Sequence, residues 1–261
     1  MAWWGKLIGG TVGFMLGGPL GALLGSSVGH QFDARKKRKG STGFLPGNQE
    51  RTQAAFFTAT FSVMGHLAKS DGRVSAQEIQ AAKALMDQMQ LTASQREAAI
   101  SLFEKGKRPD FPLDDILEQF KQECHRRVTL LRMFLEIQVQ AALADGQVDP
   151  AENQILIHAA KMLGFDSNQV ERLINFIHGT DGSSAKKERS LENAYQVLGV
   201  KPEASDTNIK TAYRRLMSRH HPDKLVSKGL PEEMIKLATD KTKEIQQAWE
   251  LVRDHRKNST G

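Results

Sequence analysis

His221-Pro222-Asp223 is the grouping in this chain with the clearest chemical potential. An imidazole and a carboxylate this close could form an acid/base pair. No nucleophile or metal motif accompanies them: Gly-x-Ser-x-Gly, His-Glu-x-x-His and Gly-rich phosphate loops are all missing from the sequence. Cys124 and His125 are adjacent, but neighbours on a helix point about 100° apart, and no third group orients them. His66 and His158 stand singly in helical patterns. The expectation is a protein that is not an enzyme, with no catalytic residue and no cofactor. What the tripeptide can do is dock. Pro222 fixes its own φ and pushes His221 toward an extended conformation, which presents imidazole and carboxylate in a set geometry. A carboxylate so held can take a charge-assisted, bidentate contact from an arginine of a partner.

The flanking residues say what must position this loop. Ile209, Ala212, Tyr213 and Leu216 recur at helical spacing and predict one buried face. Lys210 with Arg214, and Arg215 with Arg219, form i, i+4 pairs on the exposed side. Ser205 or Asp206 is placed to cap this helix. A short helix around Leu191–Leu198 precedes it. A third begins near Pro231 and carries Ala238, Ile245, Ala248, Trp249 and Val252 at helical spacing. The second and third should pack antiparallel, with the tripeptide in the loop between them. A basic helix beside the loop attracts acidic surfaces and raises association rates.

Order and spacing here resemble the J-domain of DnaJ-like co-chaperones. The residues that carry the resemblance are Ala194 to Val200, Tyr213-Arg214-Arg215-Leu216 leading into His221-Pro222-Asp223-Lys224-Leu225, and Glu244 to Leu251. The resemblance implies a DnaK-class chaperone as partner and stimulation of its ATPase. It implies His221, Pro222, Asp223, Tyr213, Lys210, Arg214, Arg215 and Arg219 as the docking residues. The Cys-x-x-Cys-x-Gly-x-Gly repeats and Gly/Phe-rich segment of general DnaJ proteins are missing, so general client holding is not implied.

Composition bounds the rest. Ala, Leu, Gln, Lys and Glu at helical spacing predict an all-α protein. The single cysteine, Cys124, excludes an internal disulfide and fits a reducing compartment. The net charge of +6 is unevenly spread: +5 over residues 1–49, −3 over 50–180 and +3 over 190–261. No segment forms a broad basic surface, so nucleic acid is not an expected partner.

Leu7 to Gly29 carries no charged side chain. As a helix this stretch would span roughly 35 Å, against about 30 Å for a hydrocarbon core. Trp3 and Trp4 precede it and Arg35-Lys36-Lys37-Arg38-Lys39 follows it. The positive-inside rule then puts residues 1–6 outside and the bulk of the chain in the cytoplasm. A signal peptide would show the opposite charge bias. Gly5, Gly9, Gly13, Gly17, Gly21, Gly25 and Gly29 recur at every fourth residue. Such overlapping Gly-x-x-x-Gly motifs let helix backbones approach closely in lipid, and Gly9, Gly13, Gly17, Gly21 and Gly25 are the predicted self-association residues of a homodimer.

The middle of the chain reads as successive amphipathic helices near 50–69, 75–90, 93–105, 112–144, 150–163 and 166–178. Within it Asp-Gly-x-Val-x-x-x-Glu occurs twice, at Asp71–Glu78 and Asp145–Glu152. The second half of an EF-hand loop looks like this, but Leu67, Lys69, Ala141 and Leu143 stand where the first hard-oxygen ligands belong. Ser75 with Glu78, and Asp149 with Glu152, have capping-box spacing instead, and Pro150 falls at N1. The pattern resembles the TerB-like helical domain, built from two related halves. Some members of that wider family bind metal at these turns, which makes Asp71, Glu78, Asp145 and Glu152 minority metal candidates in a protein otherwise expected to hold none.

The whole order resembles the membrane-anchored DnaJ-like co-chaperones of Gram-negative bacteria. The implied organisation is residues 1–6 periplasmic, a transmembrane helix at 7–30, a basic juxtamembrane linker at 31–49, a TerB-like helical domain at 50–178, a flexible linker at 179–190 and a J-domain helical hairpin at 191–261. The expected function is regulation of a DnaK-class chaperone at the bacterial inner membrane, with an unknown client taken by the middle domain. A membrane scaffold, or a metal-sensing signalling protein, is the alternative.

Overall fold

Capping chemistry and close backbone packing set the helices of this protein. The computed structural model describes residues 17–29, 48–124, 127–166, 170, 171, 173, 174, 188–227, 230 and 234–259, and among these every regular element is helical. The order is α1 Gly18–Gly29, α2 Asn48–Ala68, α3 Ala76–Gln88, α4 Ala93–Gly106, α5 Leu113–Cys124, α6 Val128–Ala142 running into a 3-10 turn at Leu143–Asp145, α7 Pro150–Leu163, α8 Glu188–Leu198, α9 Asp206–His220, α10 Pro222–Ser227 and α11 Ile235–Ser259.

α2 is the axis of the middle domain. Every residue from 52 to 65 is buried, so the helix has no solvent face over that stretch. Small residues make this possible. A methyl group on Gly65 would run into the carbonyl of Phe103 on α4, and one on Gly106 into the carbonyl of Ser62. The two backbones therefore touch where both residues are glycine. On the other sides Phe56 meets Phe120 edge-on at 5.9 Å, and Phe120 meets Phe134 at 4.8 Å, joining α2, α5 and α6.

The single helix predicted over 112–144 is two helices, α5 and α6. No Gly or Pro marks the break. It is made by tertiary contact: the Thr52 hydroxyl donates to the Glu123 carbonyl at 2.9 Å and accepts from the Arg127 guanidinium. Arg127 leaves the helical region with φ −84° and ψ 62°. Arg51 adds an ion pair to Glu123 at 2.5 Å. Cys124, at the end of α5, is fully buried, and burial pushes its thiol well above the ordinary thiol range. His158 ties α7 to α5 through a surface contact with Asp114 at 2.6 Å.

Of the 7–30 segment the structure describes 17–29, and no helix among the described residues is long and apolar enough to cross a membrane. Gly17 and Gly18 both have positive φ at the start of α1. Leu20 and Leu24 are buried against the middle domain, and Gln119 accepts from the Leu20 N–H at 2.8 Å.

At the other end, α8, α9 and α11 enclose a second small core of Ala194, Tyr195, Leu198, Ile209, Ile245, Ala248 and Val252. Ser205 caps α9, its hydroxyl accepting from the Asn208 N–H at 3.3 Å. Arg256 near the end of α11 donates to the Tyr195 hydroxyl at 3.0 Å and to Asp206 at 2.6 Å, closing α11 onto α8 and α9.

Candidate functional site

The fifteen residues of α9 separate the Ser205 cap from the turn that matters, and the helix stops because Pro222 cannot continue it. His221 alone is non-helical, with φ −59° and ψ 124°. The sequence predicts a loop reaching to Pro231. The structure instead starts a new turn of helix at once: α10 has Pro222 at its first position and Asp223 in its first turn. Pro is pre-organised for N1, and Leu225, fully buried, anchors the turn. The third long helix is described from Ile235 onward, and residues 231–233, where its start is expected, lie outside the described residues.

His221 accepts the Asp223 N–H through Nδ1 at 3.3 Å, which makes Nδ1 the unprotonated nitrogen in this arrangement. The ring is half exposed and its Nδ1 lies 3.9 Å from the Asp223 carboxylate. That carboxylate is 91% exposed and has no closer partner among the described residues. It is a charge presented to solvent.

The basic residues of α9 separate into two flanks. Lys210 and Arg214 are exposed, one turn apart, on one side of the stripe of buried Ile209 and Ala212 and half-buried Leu216. Arg215 and Arg219 lie on the other side. Arg215 is exposed, whereas Arg219 is half-buried in a cleft toward the middle domain. Burial, with Arg132 and Arg215 nearby, lowers the Arg219 pKa. Tyr213 is stacked on Trp249 of α11, with ring centroids 4.9 Å apart and planes 15° from parallel, so its ring is spent on holding α9 to α11. His220 is buried, and burial together with Lys241, Arg219 and Arg132 pushes it down to about 4.

The sequence gives no sign of what holds the far side of this turn. Leu225, Leu230, Met234 and Ala238 join the large core of the middle domain. Gln49 donates to the Val226 carbonyl at 3.1 Å, and buried Gln53 donates to the Leu230 carbonyl at 3.2 Å. Both partners lie 177 residues away in sequence. No short-range pattern could have shown them.

The two Asp-Gly turns are capping boxes. Glu78 accepts the Ser75 N–H at 2.6 Å and Glu152 accepts the Asp149 N–H at 2.9 Å. Asp71 and Asp145 accept from Arg73 and Gln147 within their own turns. Among the described residues no group of three His, Cys, Asp or Glu is placed to hold a metal ion. A third box, Thr92 with Gln95, follows the same Ser/Thr-x-x-Glu/Gln signal and could have been read from sequence. Of the predicted self-association glycines, Gly9 and Gly13 lie outside the described residues. Gly17 is exposed, Gly21 is buried against the middle domain and Gly25 is half-buried.

Three family models match the chain: the co-chaperone DjlA transmembrane domain over residues 1–42, tellurite resistance protein TerB over 57–175, and the DnaJ domain over 193–260. The co-chaperone protein DjlA of Escherichia coli K12 is 44% identical over 271 residues, covering 98% of this chain and 99% of that protein. The co-chaperone protein DjlA of Vibrio cholerae is 45% identical over 275 residues, covering 95% and 96%. That of Shewanella oneidensis is 44% identical over 262 residues, covering 98% and 99%. No solved structure matches.

Proposed function

The chain belongs to the DjlA family of membrane-anchored, DnaJ-like co-chaperones, and from that premise we propose that it acts by stimulating the ATPase of a DnaK-class chaperone through the His221-Pro222-Asp223 turn. The observation that carries this reading is the Asp223 carboxylate, 91% exposed beside a half-exposed His221. It stands at the end of a helix whose free flank carries Lys210 and Arg214. An acidic surface on the partner meets the lysine and arginine, and an arginine within that surface meets Asp223. Pro222 fixes the turn. Tyr213 keeps α9 seated on α11 through Trp249, which supports the presenting helix. Arg215 remains on the exposed surface, while Arg219 faces the middle domain.

In the same reading the segment at 7–30 crosses the inner membrane once, residues 1–6 are periplasmic and the bulk is cytoplasmic. The glycine row between Gly9 and Gly25 pairs two copies, through members other than Gly21, which the middle domain covers. The TerB-like domain, 50–178, selects a client near the membrane and the J-domain, 191–261, passes it to the DnaK-class partner. Charge bias across the segment and the four-residue glycine period support topology and pairing.

The test is single-turnover ATP hydrolysis by a DnaK-class chaperone with the full chain in lipid nanodiscs. His221→Gln and Asp223→Asn should each reduce stimulation by about ten- to a hundredfold, the loss of one charge-assisted contact. Absence of stimulation by the unaltered chain would overturn the reading.

A further inference from the structure

The second flank of α9 borders a cleft that the DnaK reading leaves unused. Its volume is about 620 Å³, within the range of small-molecule sites. Its walls come from both domains. Leu135, Phe165 and Leu173 of the middle domain face Val197, Leu216 and Ile245 of the J-domain, giving an apolar trough. Around it stand Arg132, Lys201, Arg215, Arg219 and Lys241.

The charge there is not balanced. Lys241 has Glu244 at 2.9 Å. Arg132, Arg215 and Arg219 have no carboxylate within ion-pair distance among the described residues. Glu136 also lines the cleft, and burial raises its pKa above the ordinary carboxylate value against the pull of Lys241 and Arg132. Crowding of Arg132 and Arg215 around Arg219 is a standing repulsion that an added anion would relieve.

We propose that this interdomain cleft binds an anionic single-chain amphiphile, its carboxylate or phosphate head held by Arg132, Arg215 and Arg219 and its alkyl chain in the aliphatic trough. The arginines supply planar donors suited to such a head. An acidic peptide is the less fitting occupant. Its backbone brings an N–H and a C=O at every residue, and Gln196 and the buried His220 are the two uncharged polar side chains among the described residues of the lining. The two longer internal segments of this chain outside the described residues do not suit either. Residues 31–47 carry five basic side chains and one acidic, and 175–187 carry two basic and one acidic. Both are cationic, the wrong sign for this rim. The ligand must come from elsewhere, and a family transmembrane domain at residues 1–42 places the cleft near a source of anionic amphiphiles. A ligand seated there would bridge α6 and α9, so its presence would join the J-domain more firmly to the middle domain. The proposal does not depend on the identity of the chaperone partner.

The test uses the full chain in zwitterionic nanodiscs, with empty nanodiscs subtracted. Binding of octyl phosphate is read by equilibrium dialysis and by hydrogen-exchange protection of residues 130–137 and 213–220. Octyl glucoside keeps the tail without the charge, inorganic phosphate keeps the charge without the tail, and a hexaglutamate peptide supplies the acidic-peptide alternative. The expected result is saturable binding of octyl phosphate, at least tenfold tighter than any of the other three. Arg219→Ala and Arg132→Ala should each weaken it about tenfold, the worth of one charge-assisted hydrogen bond. Lys236→Ala, exposed and outside the cleft, should leave it unchanged. If an alanine variant lowers the melting temperature, Arg219→Gln serves in its place, and Val197→Trp, which fills the trough, gives an independent loss. Equal binding of octyl glucoside, equal binding of inorganic phosphate, tighter binding of hexaglutamate, or unaltered affinity in the Arg219 variants would each overturn the proposal.

Discussion

The His221-Pro222-Asp223 turn and the paired Asp-Gly turns of the middle domain are built from the same materials. Each joins two helices, each carries a carboxylate beside a residue of special backbone geometry, proline in the first and glycine in the others, and each stands where a ligand could be imagined. They differ in where the carboxylates go. Asp71 accepts the Arg73 N–H at 2.7 Å and Glu78 the Ser75 N–H at 2.6 Å. Asp145 and Glu152 repeat this at 3.2 and 2.9 Å. Gly72 and Gly146, with φ of +90° and +97°, turn the chain so that these N–H groups come within reach. At the other turn it is the His221 imidazole that takes the Asp223 N–H, which leaves the Asp223 carboxylate 91% exposed. A carboxylate consumed by its own backbone is architecture. One whose neighbouring N–H is satisfied by something else is available to a second molecule.

The largest effect expected from this difference is functional. Asp223→Asn should abolish most stimulation of the chaperone ATPase while leaving the thermal midpoint of the chain unchanged, because no described hydrogen bond depends on the carboxylate. Glu152→Ala should do the reverse, lowering the midpoint with stimulation per folded molecule retained. A fall in midpoint for Asp223→Asn would erase the distinction. Circular-dichroism melts run beside the ATPase assay give both answers.

The sequence shows these turns well because their causes are local. Ser75, Asp149, Ser205 and Pro222 act within three residues of themselves, and each is found in the role its type predicts. The structure departs from expectation where the cause is distant. α5 ends because Thr52 reaches the Glu123 carbonyl across 71 positions. The segment after Asp223 becomes a helical turn seated on the middle domain because Gln49 and Gln53 take its carbonyls. The two flanks of α9 look alike in a list of i, i+4 basic pairs. Only the middle domain, packed beside one of them, makes Arg219 part of a cleft and leaves Arg214 facing solvent.

A second effect separates the two Asp-Gly turns from each other. Burial, with Glu78, Asp145 and Asp149 nearby, pushes Glu152 up to about 7 despite the Asp149 N–H that favours its charged form. Its folded pKa lies above the unfolded value, so the folded state holds the extra proton between about 4.5 and 7. Stability therefore falls as pH rises through that window, and the whole penalty is present above it. Glu152→Gln removes the titration but keeps the box, since Gln95 accepts the Thr92 N–H at 2.6 Å in the same role. The variant should be more stable than the parent by about 2 kcal/mol at pH 8 and nearly equal to it at pH 4. Denaturant melts at the two pH values check this, and equal differences at both would show that charge is not what distinguishes Glu152.

The smallest effect concerns the caps themselves. Ser75→Ala removes the hydroxyl that accepts the Glu78 N–H at 3.1 Å, and Asp149→Ala removes the carboxylate that accepts the Ala151 N–H at 2.8 Å. Each should cost about 1 kcal/mol, the ordinary worth of an N-cap. The two should not respond alike to pH. Asp149 also raises the pKa of Glu152, so its removal relieves part of that repulsion at pH 8 and offsets some of the lost cap. Ser75 is neutral, and its loss should cost the same at pH 6 and pH 8. The Asp149→Ala penalty should therefore shrink on going from pH 6 to pH 8 while the Ser75→Ala penalty stays constant. If both stay constant, the two turns are equivalent caps and the carboxylates around Glu152 act independently of one another.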